Sequence, residues 1–148
     1  MAQVHDIVLP DDSYYDPKDH LWLTVEDGRV RVGLDALAQK ATGTVAYVKL
    51  SPVGRSVRKA EPFGTMEAGK YVGPLKAPVA GRIIEVNSEV LAQPTLVNLE
   101  PYGRGWFIVI QPTNLQRDLQ DLVHGEGLQS WLESEYKNYQ DEGAFAAE

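Results

Sequence analysis

The chain has 148 residues, a formal net charge of −7 and no cysteine. That length suits one domain with a real core, the charge would repel a phosphate backbone and so excludes nucleic acid as a natural partner, and the missing cysteines exclude disulfides, thiolate nucleophiles and cysteine-held metals together. Any sulfur chemistry must come from a cofactor or a partner. No apolar run approaches the roughly 20 residues that span a bilayer, and Met1-Ala2-Gln3-Val4-His5-Asp6 lacks the basic-then-apolar pattern of a signal peptide. A cytoplasmic setting, away from membranes, is the expectation.

Residues 7–112 read as short strands. Apolar positions alternate in Leu21-Trp22-Leu23-Thr24-Val25, Val30-Arg31-Val32, Val45-Ala46-Tyr47-Val48, Ile83-Ile84-Glu85-Val86 and Phe107-Ile108-Val109-Ile110. Gly and Pro separate them at close intervals, and Asp27-Gly28 between Val25 and Val30 signals a hairpin. Strands this short argue for a barrel or sandwich. One short helix is expected over 34–41, where Leu34, Leu37, Ala38 and Ala41 share a face and Thr42-Gly43 stops it. An internal repeat matches Gly43-Thr44-Val45-Ala46-Tyr47-Val48 with Gly81-Arg82-Ile83-Ile84-Glu85-Val86. Each hexamer is followed by an apolar pair, Ser56-Val57 and Leu96-Val97. Two such halves, each too small to bury its own face, should pack on one another.

After Pro112 the pattern turns helical. Asn114 can cap a segment with Leu115, Leu119, Leu122 and Val123 on one face. Gly125 and Gly127 interrupt it before Leu128, Trp131, Leu132 and Glu135 resume the spacing. From 114 onward Asp118, Asp121, Glu126, Glu133, Glu135, Asp141, Glu142 and Glu148 face only Arg117 and Lys137. The tail reads as a solvated helical face with a frayed end, with a docking surface for a basic partner as the sharper alternative. The domain reading is therefore a β domain over 1–112 and a helical, acidic extension over 113–148 that packs on it or trails from it.

His5, His20 and His124 are far apart in sequence, and no metal site is expected. Trp22, Trp106 and Phe107 read as core. No Gly-x-Ser-x-Gly elbow, phosphate loop or paired helical histidines occur, so no catalytic centre is expected.

Between the two half-motifs stands Lys70, beside Gly69, where a tight turn belongs. A turn would present its long stem and ammonium to solvent, and glycine allows close approach or a positive φ beside it. Alone, such a lysine signals nothing. Its flanks do: Phe63-Gly64-Thr65-Met66-Glu67-Ala68-Gly69-Lys70 is followed at fixed spacing by Ala77-Pro78-Val79-Ala80-Gly81. Further on come Glu85-Val86-Asn87, Pro94-Thr95-Leu96-Val97-Asn98 and Pro101-Tyr102-Gly103-Arg104-Gly105-Trp106. Upstream lie Asp19-His20-Leu21-Trp22, Val32-Gly33-Leu34 and Ala38-Gln39.

Over about residues 14–112 these runs resemble the H protein family of the glycine cleavage system. The resemblance implies a mainly β barrel-sandwich hybrid of two antiparallel sheets, with the short helix near 34–41 and a C-terminal helical segment. It implies lipoic acid attached covalently at Lys70, on a hairpin. It makes Glu67 a recognition residue for a lipoate-attaching enzyme and leaves Lys76 unmodified. Gly69 and Tyr71 flank the arm, and His20 is a packed or capping residue, or else a contact of the dithiolane ring. Tyr71 is expected to be exposed.

The chain departs from the family at three places. His-Glu-Trp becomes His20-Leu21-Trp22, Gly-Asp becomes Gly43-Thr44, and the Ala-Val-Ser-Asp after the lysine becomes Tyr71-Val72-Gly73-Pro74. A cationic passenger is less well served without those carboxylates. Gly69-Lys70-Tyr71-Val72-Gly73-Pro74 and the acidic tail are similar to the lipoate-binding proteins of heterodisulfide-reductase-like sulfur oxidation. The expectation is a non-catalytic, monomeric carrier of sulfur intermediates for such a sulfur-oxidising complex. The alternatives are the aminomethyl carrier that serves the glycine cleavage P, T and L proteins, and an unmodified sandwich domain acting in assembly. A biotinyl carrier is disfavoured, because Gly69 and Tyr71 stand where methionines would flank the lysine.

Overall fold

The computed structural model describes residues 1–145, so Glu148 of the acidic tail lies outside the described residues. The chain opens with a small hairpin, β1 (Ala2–Val4) and β2 (Ile7–Leu9), followed by β3 (Tyr14–Tyr15). Next come β4 (Leu21–Glu26) and β5 (Arg29–Leu34). Asp27 and Gly28 join them with φ of 52° and 75°, the paired positive values that a two-residue hairpin needs and that Gly28 adopts without strain. Then follow α1 (Ala36–Thr42), β6 (Val45–Leu50), β7 (Ser56–Val57), β8 (Pro62–Ala68), β9 (Tyr71–Lys76) and β10 (Gly81–Val86). Helices α2 (Ser88–Ala92) and α3 (Leu96–Leu99) lead to β11 (Ile108–Pro112). Helices α4 (Leu115–Leu119) and α5 (Leu128–Asp141) complete the order.

The strands form a six-stranded sheet, β3-β4-β5-β11-β10-β7, a three-stranded sheet, β6-β8-β9, and the separate β1-β2 hairpin. Every pairing is antiparallel. The mainly β, barrel-sandwich architecture expected from the sequence is the one observed. The two larger sheets face each other across an aliphatic core that includes Leu23, Val32, Met66, Leu75 and Ile83, with the Phe63 and Phe107 rings 6.1 Å apart at its centre. A second core, built on Leu9, Tyr15, Trp22, Leu37, Leu128 and Leu132, joins the N-terminal hairpin to α5.

Four local expectations are corrected. The short helix begins at Ala36 rather than 34, because Leu34 is the last residue of β5 and the Asp35 carboxylate caps the helix from the Ala38 N–H. The pairs after the two hexamers are not equivalent: Ser56-Val57 is a strand in which only Val57 is apolar and buried, whereas Leu96-Val97 lies in the one-turn helix α3 after Pro94. Trp106 is half-buried beside the second core, with the Arg31 guanidinium 5.1 Å over its ring. Asp118, assigned to a solvated face, is 2% exposed and accepts the Ala80 N–H at 2.8 Å. Asn114 does cap α4, accepting the Arg117 N–H.

Candidate functional site

Strands β8 and β9 pair from Pro62↔Lys76 to Ala68↔Tyr71, which leaves Gly69 and Lys70 as a two-residue turn. Gly69 is not among the glycines with positive φ, so of the two uses expected of it the positive φ is not made. The turn is held from behind. The Gly69 N–H donates to the Thr44 carbonyl at 3.1 Å and the Lys70 N–H to the Thr42 carbonyl at 2.8 Å. Asn98 fixes that α1–β6 junction in turn: its Oδ1 accepts the Val45 N–H at 2.8 Å, and its Nδ2 donates to the Gly43 carbonyl at 2.9 Å. A flexible stem thus rises from a backbone that cannot swing. Asn98 was legible only as part of a motif, and its role appears once α3 is placed beside α1.

Lys70 itself is exposed, and its Nζ donates to the Ala144 carbonyl of the segment after α5. Beside it opens a cavity of about 340 Å³, walled by Leu21, Leu34, Ala38, Met66, Pro74 and Leu75, with Lys18, Asp19 and Glu142 also lining it. That volume lies near the lower end of ligand-binding clefts, roughly 300–1,000 Å³, and an apolar wall beside an anchored lysine suits an uncharged ring on a long chain. Burial, then repulsion from Asp16, holds the Asp19 carboxyl above its usual range.

The sequence-derived site residues separate into three positions. Glu67 is exposed on the outer face of the three-stranded sheet, in one cross-strand row with Tyr47 and Val72, which are 53% and 73% exposed. Tyr71 is half-buried rather than exposed: its ring packs against the barrel core and its hydroxyl donates to the Pro74 carbonyl at 3.0 Å. Burial, then the nearby Asp19 charge, raises its hydroxyl pKa. His20 lines the cavity yet is 2% exposed, with Nδ1 2.8 Å from Asp35 and Nε2 2.8 Å from Glu135. Its ring stacks on Trp131 at 5.0 Å. Burial opposes its charge, but Asp35 and Glu135 outweigh that and raise its pKa to about 9. Both ring nitrogens are therefore engaged and only ring carbon remains to face the cavity. Lys76 ends β9, half-buried and away from the turn.

Tyr139 and Ala144, not named in the sequence reading, and Glu142, read there only as part of the acidic tail, complete the cavity. No local pattern marked them, since they reach the lysine only when α5 folds back onto the barrel. Among the described residues no cluster suited to a metal occurs, and no helix is long and apolar enough to cross a membrane.

Comparison with known proteins agrees with this geometry. The family model described as glycine cleavage H-protein matches residues 13–135. A glycine cleavage system H protein 2 of Aquifex aeolicus is 39% identical over 142 residues, 93% of this chain and 88% of that one. An H protein of Thermus thermophilus is 43% identical over 127 residues, 86% of this chain and 98% of the relative. The crystal structure of an H protein from Mycobacterium marinum superposes with a TM-score of 0.72 at 33% identity, covering 90% of this chain and 99% of that one. A lysine on a braced hairpin accords with kinship to a family of non-catalytic carriers that bear lipoate covalently on a lysine, and the chain belongs to the glycine cleavage H-protein family.

Proposed function

We propose that Lys70 is the attachment point of the lipoyl group, that Glu67, Gly69 and Tyr71 frame it, and that His20 backs the cavity beside it. The observation that carries this reading is the two-residue turn that presents Lys70 at the tip of β8–β9 while Thr42 and Thr44 hold its backbone. Once attached, lipoate supplies a dithiolane whose disulfide opens to thiols that hold a passenger. The chain's own residues do the rest. The braced turn fixes the origin of the arm, the outer row Tyr47-Glu67-Val72 offers a lipoate-attaching enzyme a face to grip, and the apolar wall shelters the ring from water. Residues 113–148 are read as a helical extension of the same carrier domain, which works as a monomer.

The names of the relatives favour glycine cleavage, with an aminomethyl passenger and the P, T and L proteins as partners. One observation keeps the sulfur reading as a second. Leu21 and Pro74 stand where the family carries carboxylates, and both line the cavity, so a cationic passenger finds an apolar wall there. The central claim is tested by intact mass after incubation with a lipoate-attaching enzyme. Wild type should gain one lipoyl group and Lys70→Arg none. No gain on wild type, or an equal gain on the variant, overturns it. The passenger is decided by supplying the lipoylated protein to P, T and L proteins: glycine decarboxylation supports the first reading, and its failure transfers support to the sulfur adduct.

A further inference from the structure

The family match ends at residue 135, but the chain continues, and the segment beyond α5 engages the lysine through its amine. Helix α5 ends at Asp141, and Gly143 adopts φ +77° to turn the chain back. The turn is bonded at each step: Glu142 N–H to the Asn138 carbonyl, Gly143 N–H to Gln140 and Ala144 N–H to Tyr139, at 2.9–3.1 Å. Phe145 then stacks on Tyr136 at 4.9 Å and lies 6.3 Å from the Tyr139 ring. This latch points the Ala144 carbonyl at Lys70 Nζ and brings Glu142 and Ala144 into the cavity lining.

We propose that the strap Glu142–Phe145 is a lid keyed to the modification state of Lys70, closed on the unmodified ammonium and released by lipoylation. The inference rests on Lys70 being the attachment point. An ammonium has three donors and a full charge, and a charge-assisted bond to a carbonyl is about twice as strong as a neutral one. Attachment joins Nζ to the carboxyl carbon of an activated lipoate. One proton leaves with the activating group, another goes to solvent, and the resulting amide keeps one N–H and no charge. The strap then loses the charge that holds it, and the new acyl chain needs the space it occupies. Partners would meet an open cavity only on the lipoylated chain.

The strap also slows modification, because the Lys70 amine must leave the Ala144 carbonyl before an attaching enzyme can use it, so only the released fraction reacts. Phe145→Ser removes the latch. An aromatic pair contributes enough for its loss to raise the open fraction about two- to tenfold, and uptake of lipoate at limiting enzyme should quicken by the same factor. In the wild-type full chain, hydrogen exchange at the Gly143 and Ala144 amides should be slow before lipoylation and about tenfold faster after it. Equal exchange in the two forms, or uptake by Phe145→Ser at the wild-type rate, overturns the lid. Failure of the attachment reading looks different: wild type then gains no lipoyl mass, or Lys70→Arg gains as much.

Discussion

The two cores of the molecule are made of different materials. The barrel core is aliphatic, drawn from both sheets, and its position is fixed by continuous antiparallel registers. The terminal layer is ring-rich, and a few directional contacts tie it down. Glu135 meets His20, Gln129 meets the backbone of Gln3, and Lys40 meets Asp6. Both regions bury apolar side chains, but the terminal layer rests on the smaller second core and lacks the continuous strand registers of the barrel, so it can loosen while the barrel stays folded. The lysine sits on the first kind of structure and its amine is engaged by the second, so a rigid origin for the arm coexists with a strap that can move.

The largest effect should come from the barrel. Phe63 is fully buried on β8, the strand that ends at the lysine turn, and faces Phe107 across the sheets. Phe63→Ala should cost about 3–5 kcal/mol. Chemical denaturation should show one cooperative transition at a lower midpoint. A two-step transition, with the barrel lost before the terminal layer, would reverse the ranking of the two regions.

A smaller effect, and one that depends on pH, is expected at His20, where the regions meet. Its pKa is raised from 6.5 to about 9. The stabilisation is therefore complete below about pH 6.5 and drains away as pH climbs through 9, up to about 3 kcal/mol in all. His20→Gln should destabilise at neutral pH, because Asp35 is left buried without its cation. Other groups titrate in alkali, so the telling quantity is the stability difference between wild type and variant at pH 6, 8 and 10. It should shrink as pH rises, and a constant difference would mean that the imidazole is uncharged throughout.

The same division decided what the sequence could disclose. Strands β5 and β10 were visible because one buried face imposes alternation, β4 and β11 because their runs of buried apolar residues are bounded by turn signals, and β6 despite a bulge between Val45 and Tyr47. Asp27-Gly28 was visible because few residue pairs suit a two-residue hairpin. Lys70 stood out because the run from Phe63 to Gly81 resembles the family's motif, and the pairing of β8 with β9 puts it in a two-residue turn. The terminal layer left less trace: Leu128, Trp131, Leu132 and Glu135 showed the helical spacing of α5, but nothing showed that it packs on the N-terminal hairpin. Residues 2–9 are too short for periodicity, His20 finds Glu135 only 115 positions further along the chain, and a buried imidazolium cannot be told from a packed neutral ring until both carboxylates are placed. Leu96-Val97 misled for a related reason: an apolar pair has no period, and Pro94 with the Thr95 turn decided for a helix.

Gln129 offers the mildest test and the most discriminating. Its side-chain amide serves as an extra strand for β1: Oε1 accepts the Gln3 N–H at 2.9 Å and Nε2 donates to the Gln3 carbonyl at 3.0 Å. The other edge of β1 is occupied by β2, through Gln3↔Val8. Gln129→Ala should therefore weaken the junction of hairpin and α5 by about 1 kcal/mol, the usual net worth of such bonds at a solvated site. Exchange at the Gln3 amide should quicken by roughly fivefold, since 1.4 kcal/mol corresponds to tenfold, while the Val32 amide deep in β5 keeps its wild-type rate. Acceleration of both amides by the same factor would mean that the two regions open as one. The strap at Lys70 could then not move without the barrel, and the independence argued from the two cores would fail.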